Sequence, residues 1–214
     1  MPVLLHLDSS ADLTTSRSRA ITATFADAWR ALGADHTVVY RDLHRDALPY
    51  LSDASLHFPA HLRPTDANPN LTQEALQQEI LGELLGADVV LIGVPLYNYS
   101  MPATLKTWVD YIHVPAVTAS FGPLEAQPMK GRPAVLISTR GGAYDAGTST
   151  EFDDHAIPAL SLILQDALGM TLETIVATRT LSERFGAPAE EVALQHAELA
   201  AAHDSATRAA HRLG

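Results

Sequence analysis

The strongest constraint on this chain is an alternation of two hydrophobic periods. Five short apolar runs occur at Val3–Leu7, Thr37–Tyr40, Ala87–Val94, Ala134–Ser138 and Leu172–Ala177. Each is followed, directly or after a loop, by a segment with helical spacing. Ile21, Phe25, Ala28, Trp29 and Leu32 form the first stripe, which stops at Gly33. Leu76, Ile80 and Leu84 form the second, which stops at Gly86. Asn70 is placed to cap that helix, with Gln73 three residues on as in a capping box. Pro102 can start the third helix, since its missing N–H costs nothing at the first position. Leu105, Trp108, Val109 and Ile112 supply its stripe. Ile157–Leu168 reads as helical. Pro188–Leu213 reads as a long last helix, with Glu190 and Glu191 near its start and Arg208 and Arg212 near its end, as the helix dipole prefers.

Val89-Val90-Leu91-Ile92 is apolar on both faces, as a central parallel strand requires. Parallel strands need crossovers, and right-handed crossovers produce a doubly wound sheet with helices on both faces. Five strands predict the order 2-1-3-4-5, with a ligand crevice at the C-terminal strand edge. One domain over residues 1–214 is expected. The Asp42–Pro69 stretch should be mostly loop, and a loop of that length is often functional.

Composition removes several classes of function. There is no cysteine, which excludes disulfides, thiolate nucleophiles and Cys-ligated metals. The ten histidines show no H-E-x-x-H spacing, and no metal site is expected. A net charge of −11 repels phosphate backbones and argues against nucleic acid. The N-terminal Met1-Pro2-Val3-Leu4-Leu5 lacks the basic leader of a signal peptide, and no run approaches the ~20 apolar residues of a membrane span. A cytoplasmic protein without a membrane partner is expected.

Three segments at the ends of the first, third and fourth strands carry chemistry. Ser9-Ser10 through Thr14-Thr15-Ser16-Arg17-Ser18 is a hydroxyl-rich loop entering a helix. Free N–H groups and a partial positive charge there suit a phosphate, with Ser10, Ser16 and Ser18 as further donors and Arg17 or Arg19 as cations. The plain alternative is a serine that only caps the helix. There is no G-x-x-x-x-G-K-[ST] or G-x-G-x-x-G pattern, which disfavours a nucleoside triphosphate or a dinucleotide bound in Rossmann fashion. Pro95-Leu96-Tyr97-Asn98-Tyr99, running on to Pro102, is a stiff aromatic loop that could face a planar ring. Its N–H groups are expected to be free of the strand. The alternative is a tight turn packing its tyrosines at the sheet edge. Thr139-Arg140-Gly141-Gly142 could bring backbone N–H groups close to a ligand edge, through close approach or positive φ, or could be a plain turn.

Together these segments resemble the FMN-dependent NADH:quinone oxidoreductases that also act as azoreductases. The resemblance runs over nearly the whole chain. It includes Leu4-Leu5-His6-Leu7-Asp8-Ser9-Ser10, Ser16-Arg17-Ser18, the Pro95–Tyr99 loop with Met101-Pro102-Ala103-Thr104-Leu105-Lys106-Thr107-Trp108-Val109-Asp110, and Thr139-Arg140-Gly141-Gly142. It implies a flavodoxin-like fold. It also implies bound FMN, with Ser10 and Ser16, Arg17 and Ser18 at the phosphate. Pro95, Leu96, Tyr97, Asn98 and Tyr99 would lie along the isoalloxazine, and Thr139, Arg140, Gly141 and Gly142 at its polar edge. Hydride would pass from NADH or NADPH to flavin N5 and on to a quinone or azo acceptor. The family is homodimeric, with active sites at the interface. No catalytic side chain beyond the flavin is expected, though Tyr97 and Asn98 would lie near the ring.

The chain departs from the family pattern in four places. Leu96 stands where Met is usual, and Tyr99 where Phe is usual. Phe121–Lys130 is short, and Ala167-Leu168-Gly169-Met170 lacks the expected phenylalanines. The latter two bear on substrate range. The alternatives are a flavodoxin-type electron carrier and a scaffold without flavin. The carrier would have a tighter T-x-T-G-x-T-type loop than this chain shows.

Overall fold

Alternate residues of the first strand enter different cores. In the computed structural model, which describes residues 1–120 and 126–214, β1 spans Val3–Asp8. Leu5 and Leu7 join Ile80, Leu84, Leu105 and Trp108 on one face of the sheet. Leu4 joins Ile21, Phe25, Trp29 and the alanines Ala202, Ala206 and Ala209 on the other. This two-sided burial is why the strands read as apolar runs without polar alternation.

Five parallel strands follow the order β2-β1-β3-β4-β5. They are β1, β2 (Thr37–Asp42), β3 (Val89–Pro95), β4 (Pro133–Thr139) and β5 (Thr171–Ala177). Every residue of β3 is buried, as its central place demands. The helices are α1 (Arg17–Ala31), α2 (Leu71–Gly86), α3 (Ala103–Ile112), α4 (Ala156–Ser161) and α5 (Ala189–Leu213). Helices α1 and α5 cover one face, and α2, α3 and α4 the other. The register aligns Asp8 with Gly93, and Pro95 with Thr139, so β3, β4 and β5 end level and run two residues past the tip of β1. Gly93 has a reason to be glycine: a Cβ there would stand 2.8 Å from Asp8 Oδ1.

Three local expectations change. The Ile157–Leu168 segment is not one helix. After Ser161 it widens into a π-helical stretch, Leu162–Ala167, followed by Gly169 at φ +75°. The Asn70–Gln73 pair makes only half of a capping box. Asn70 accepts from the Thr72 and Gln73 N–H groups, but the Gln73 side chain turns to the long loop, bonding Ser52 and the Tyr50 carbonyl. That loop is held this way and contains two short 3₁₀ turns, Ala54–His57 and Ala60–Leu62. Of the Phe121–Lys130 segment, residues 121–125 lie outside the described residues. Met129 is in the core, and Gln127 donates to the Asp166 and Ala167 carbonyls. Among the described residues, no helix is long and apolar enough to cross a membrane.

One ion pair fastens the first crossover. Arg19 forks onto Asp42 at 2.7 and 2.8 Å and also donates to the Ser10 carbonyl at 2.7 Å. Burial pushes the Asp42 carboxyl up, but Arg19 and the Arg45 and His44 N–H groups outweigh it and hold the group down at about 2. A depressed carboxyl stabilises the fold above its ordinary value of 3.8, and that contribution is lost as pH falls through about 2. Asp42→Asn should lower stability at neutral pH by about 3 kcal/mol, since it takes away the carboxylate that Arg19 forks onto and leaves Arg19 with Asp8 at 3.6 Å. It should also flatten the acid loss between those two pH values. Urea titrations of both proteins across that range check this. Parallel pH curves would contradict it.

Candidate functional site

Parallel strands send every following loop to one edge, and there the loops after β1, β3, β4 and β5 enclose a cleft of about 460 Å³. Ser10, Ser16, Arg17, Pro95, Leu96, Tyr97, Thr139 and Gly141 line it, all singled out by the sequence. Asp12, Thr15, Thr180, Leu181 and Arg184 complete the lining.

The first wall is the loop into α1. Ser16 is the N-cap, accepting from the Arg19 N–H at 3.3 Å, and it also lines the cleft. Capping and exposure to a ligand are therefore both available to one hydroxyl. Ser18 is buried, and its hydroxyl bonds Ser16 Oγ at 3.1 Å. Of the two candidate cations, Arg19 is committed to Asp42 and the Ser10 carbonyl, and Arg17 faces the cleft. Asp12 accepts from the Thr14 and Thr15 N–H groups and from both threonine hydroxyls. The Thr15 hydroxyl first, then the Thr15 and Thr14 N–H groups, hold its carboxyl well below the usual range.

The second wall is the loop after β3. The sequence predicts N–H groups free of the strand, and two of them are instead engaged. Leu96 N–H donates to the Thr139 carbonyl at 2.8 Å, and Tyr97 N–H to the Ser100 carbonyl at 2.9 Å. The β3–β4 ladder thus runs one residue further before the turn closes. Asn98 and Tyr99 occupy the left-handed region, at φ 48° and 70°. That conformation is uncommon for a tyrosine and costs free energy that the surroundings must offset. His155 N–H bonds the Tyr99 carbonyl at 2.8 Å and helps hold it. The Tyr97 hydroxyl bonds Ser10 Oγ and accepts from Ala11 N–H, both at 3.0 Å, so this side chain ties the second wall to the first. Asn98 lines a neighbouring hollow with Met101, Pro102 and Lys106, and Tyr99 is more than half exposed.

The third wall follows β4. Neither Gly141 nor Gly142 has positive φ. A Cβ on Gly141 would meet Leu181 Cδ1 at 2.8 Å and push that side chain aside, and space beside Gly142 is open. Their carbonyls accept from Leu181 and Arg179 N–H. Their own N–H groups find no acceptor among the described residues. Arg140 turns away from the cleft, pairing with Asp154 at 2.6 Å and lying over Tyr144. Burial pushes the Tyr144 phenol up.

The donor-rich helix end, the apolar and aromatic wall and Gly141 line one continuous cleft, and Gly142 lies just outside that lining. This matches an elongated ligand with a phosphate at one end and a planar, hydrogen-bonding ring at the other. Among the described residues, no group of acidic and imidazole side chains could hold a metal ion.

Comparison with known proteins bears on the family and the fold. A family model described as flavodoxin-like fold matches residues 3–203. An FMN-dependent NADH:quinone oxidoreductase of Kineococcus radiotolerans is 54% identical over 86% of this chain and 87% of its own. One of Streptomyces avermitilis is 38% identical over 100% of this chain and 97% of its own. Among solved structures, an azoreductase from Bacillus anthracis superposes with a TM-score of 0.79 at 22% identity, over 97% of this chain and 100% of that one. An FMN-dependent NADH-azoreductase from the same species, in complex with FMN, gives 0.75 at 18% identity, over 98% and 99%. At these identities the two solved structures show a shared fold.

The tie between the first two walls is testable. Tyr97→Phe removes one hydroxyl and two hydrogen bonds, and should cost roughly 1 kcal/mol in chemical denaturation. An unchanged unfolding midpoint would mean that the bridge to Ser10 does not form.

Proposed function

The chain belongs to the flavodoxin-like family and, within it, to the FMN-dependent NADH:quinone oxidoreductases, and on that premise we propose that it binds FMN in the strand-edge cleft and reduces quinones and azo compounds with NADH. The single observation that carries this reading is the convergence on one cleft of a capped helix start and an aromatic loop. The whole chain then acts as one FMN-binding domain.

Ser10, Ser16 and the N–H groups at the start of α1 would hold the phosphate, with Arg17 opposing its charge. Leu96 and Tyr97 would pack along the isoalloxazine, and the Gly141 and Gly142 N–H groups would bond its carbonyl and nitrogen edge. Bound there, FMN would supply the redox chemistry, hydride exchange with NADH at N5 and two-electron delivery to the acceptor, and these residues would hold and orient it. The chain itself needs no nucleophile or metal for that chemistry. It orients the ring through a strained, rigid loop and shields one face with apolar side chains. The Tyr97 hydroxyl is spent on Ser10 and Ala11, so its role here is positioning. Asn98, which lines the neighbouring hollow with Ser100 and Lys106, is one of the polar side chains that could meet an acceptor approaching from that side.

Two further parts belong to this reading. One is a homodimer with active sites at its interface, supported by Tyr99, Phe152 and Leu162, large apolar or aromatic side chains left largely exposed. The other is a cytoplasmic site of action, where NADH or NADPH is available. A flavodoxin-type electron carrier is the competing reading, and the names of the relatives favour the enzyme.

The test is direct. The purified full chain should take up FMN and show the yellow absorbance of a flavoprotein. It should oxidise NADH with menadione or an azo dye as acceptor. Initial rates at several acceptor concentrations should give parallel double-reciprocal lines, because donor and acceptor use the cofactor in turn. A yellow protein that turns over no acceptor would sink the reductase reading. Converging lines would sink the alternating mechanism.

A further inference from the structure

The cleft has a fourth wall that lies outside the three loops read from the sequence. It is the turn between β5 and α5, which contributes Thr180, Leu181 and Arg184 to the lining. This turn is firmly fixed. Arg179 adopts φ 58° and donates its N–H to the Gly142 carbonyl at 2.9 Å. Its buried guanidinium is shared among Asp145, Glu191 and Glu198. Thr180 and Leu181 N–H groups bond the Arg140 and Gly141 carbonyls. The turn is thus bolted to the third wall on one side and to α5 on the other.

Arg184 sits on that turn without a carboxylate partner among the described residues. Arg17 is the other cleft cation in that position. Helices α1 and α5 pack side by side on one face of the sheet, and Arg184 lines the same cleft as Ser16 and Arg17 at the start of α1. The charges there do not yet suit a phosphate monoester. Asp12 contributes one negative charge and Arg17 one positive, which cancel. A phosphate monoester with a second pKa near ~6 carries close to two negative charges at neutral pH. The helix start offsets only about half a charge.

We propose that Arg184 supplies the second positive charge for the flavin phosphate, so that the turn after β5 selects a phosphorylated flavin over the unphosphorylated one. This rests on the FMN reading above and assigns a residue to it from a fourth loop. An exposed arginine can do this at little folding cost, because it stays hydrated until the ligand arrives.

Fluorescence titrations of the flavin-free full chain with FMN and with riboflavin test the proposal. Arg184→Ala should weaken FMN about tenfold, the scale of one hydrogen bond to a charged group, and leave riboflavin unchanged. Arg184→Lys keeps the charge and should restore most of the FMN affinity. An FMN affinity within about twofold of the parent in Arg184→Ala would overturn the proposal. So would equal losses for FMN and riboflavin, since Arg184 would then act by packing the turn. A parent protein that binds neither flavin refutes the functional reading itself, and this inference with it.

Discussion

A parallel strand can be followed by another only through a crossover, so every loop leaving a strand leaves at the same edge of the sheet. The rest of this molecule depends on that constraint. It brings together residues as distant in sequence as Ser10, Leu96, Gly141 and Arg184 without requiring any contact among them during chain growth. It leaves the chain to fix the loops against each other. Three ties do so: Arg19 to Asp42 and Ser10, Tyr97 to Ser10 and Ala11, and Arg179 to the Gly-Gly carbonyl and three carboxylates. Each uses a side chain or backbone group that would otherwise have been free to meet a ligand. The cleft is therefore lined both by tied residues, Ser10 and Tyr97, and by residues these ties leave over, among them Arg17, Leu96 and Arg184.

The division between structural and ligand-facing roles is sharpest in the first loop. Arg17 and Arg19 are two residues apart on the opening turn of α1, and either sign of reasoning from sequence treats them alike. Helical rotation separates them. Arg19 turns inward to a buried carboxylate at the end of β2, and Arg17 turns outward to the cleft. The same economy explains Ser18, whose hydroxyl is consumed by Ser16.

Much of the fold was legible because hydrophobic period reports burial directly. The five strands, their order and four of the helices follow from runs such as Val89–Ile92 and stripes such as Leu105–Ile112, while the fourth helix ends at Ser161, short of the predicted Leu168. What period cannot report is hydrogen-bond partnership. The break after Ser161 leaves the apolar spacing intact, and Gln73 sits at a capping-box position while serving the neighbouring loop. In the cleft, segments rich in hydroxyls, aromatics or paired glycines stood out by composition. The turn after β5 has no such marking: Thr180, Leu181 and Arg184 are ordinary residues placed by topology. Reading the strand order to its end would have pointed there, since β5 is parallel and its loop must emerge at the same edge. Gly141 shows a related limit. Its composition suggested ligand approach, whereas the space it leaves is filled by Leu181.

The most direct measurement is diffraction from crystals of the full chain grown with FMN. The account predicts phosphate density at the start of α1, within hydrogen-bonding distance of Ser10 and Ser16 and facing Arg17. It predicts ring density against Leu96 and Tyr97, with the pyrimidine edge at the Gly141 and Gly142 N–H groups. A flavin bound elsewhere on the sheet, or one turned so that its phosphate meets the Gly-Gly loop, would contradict it.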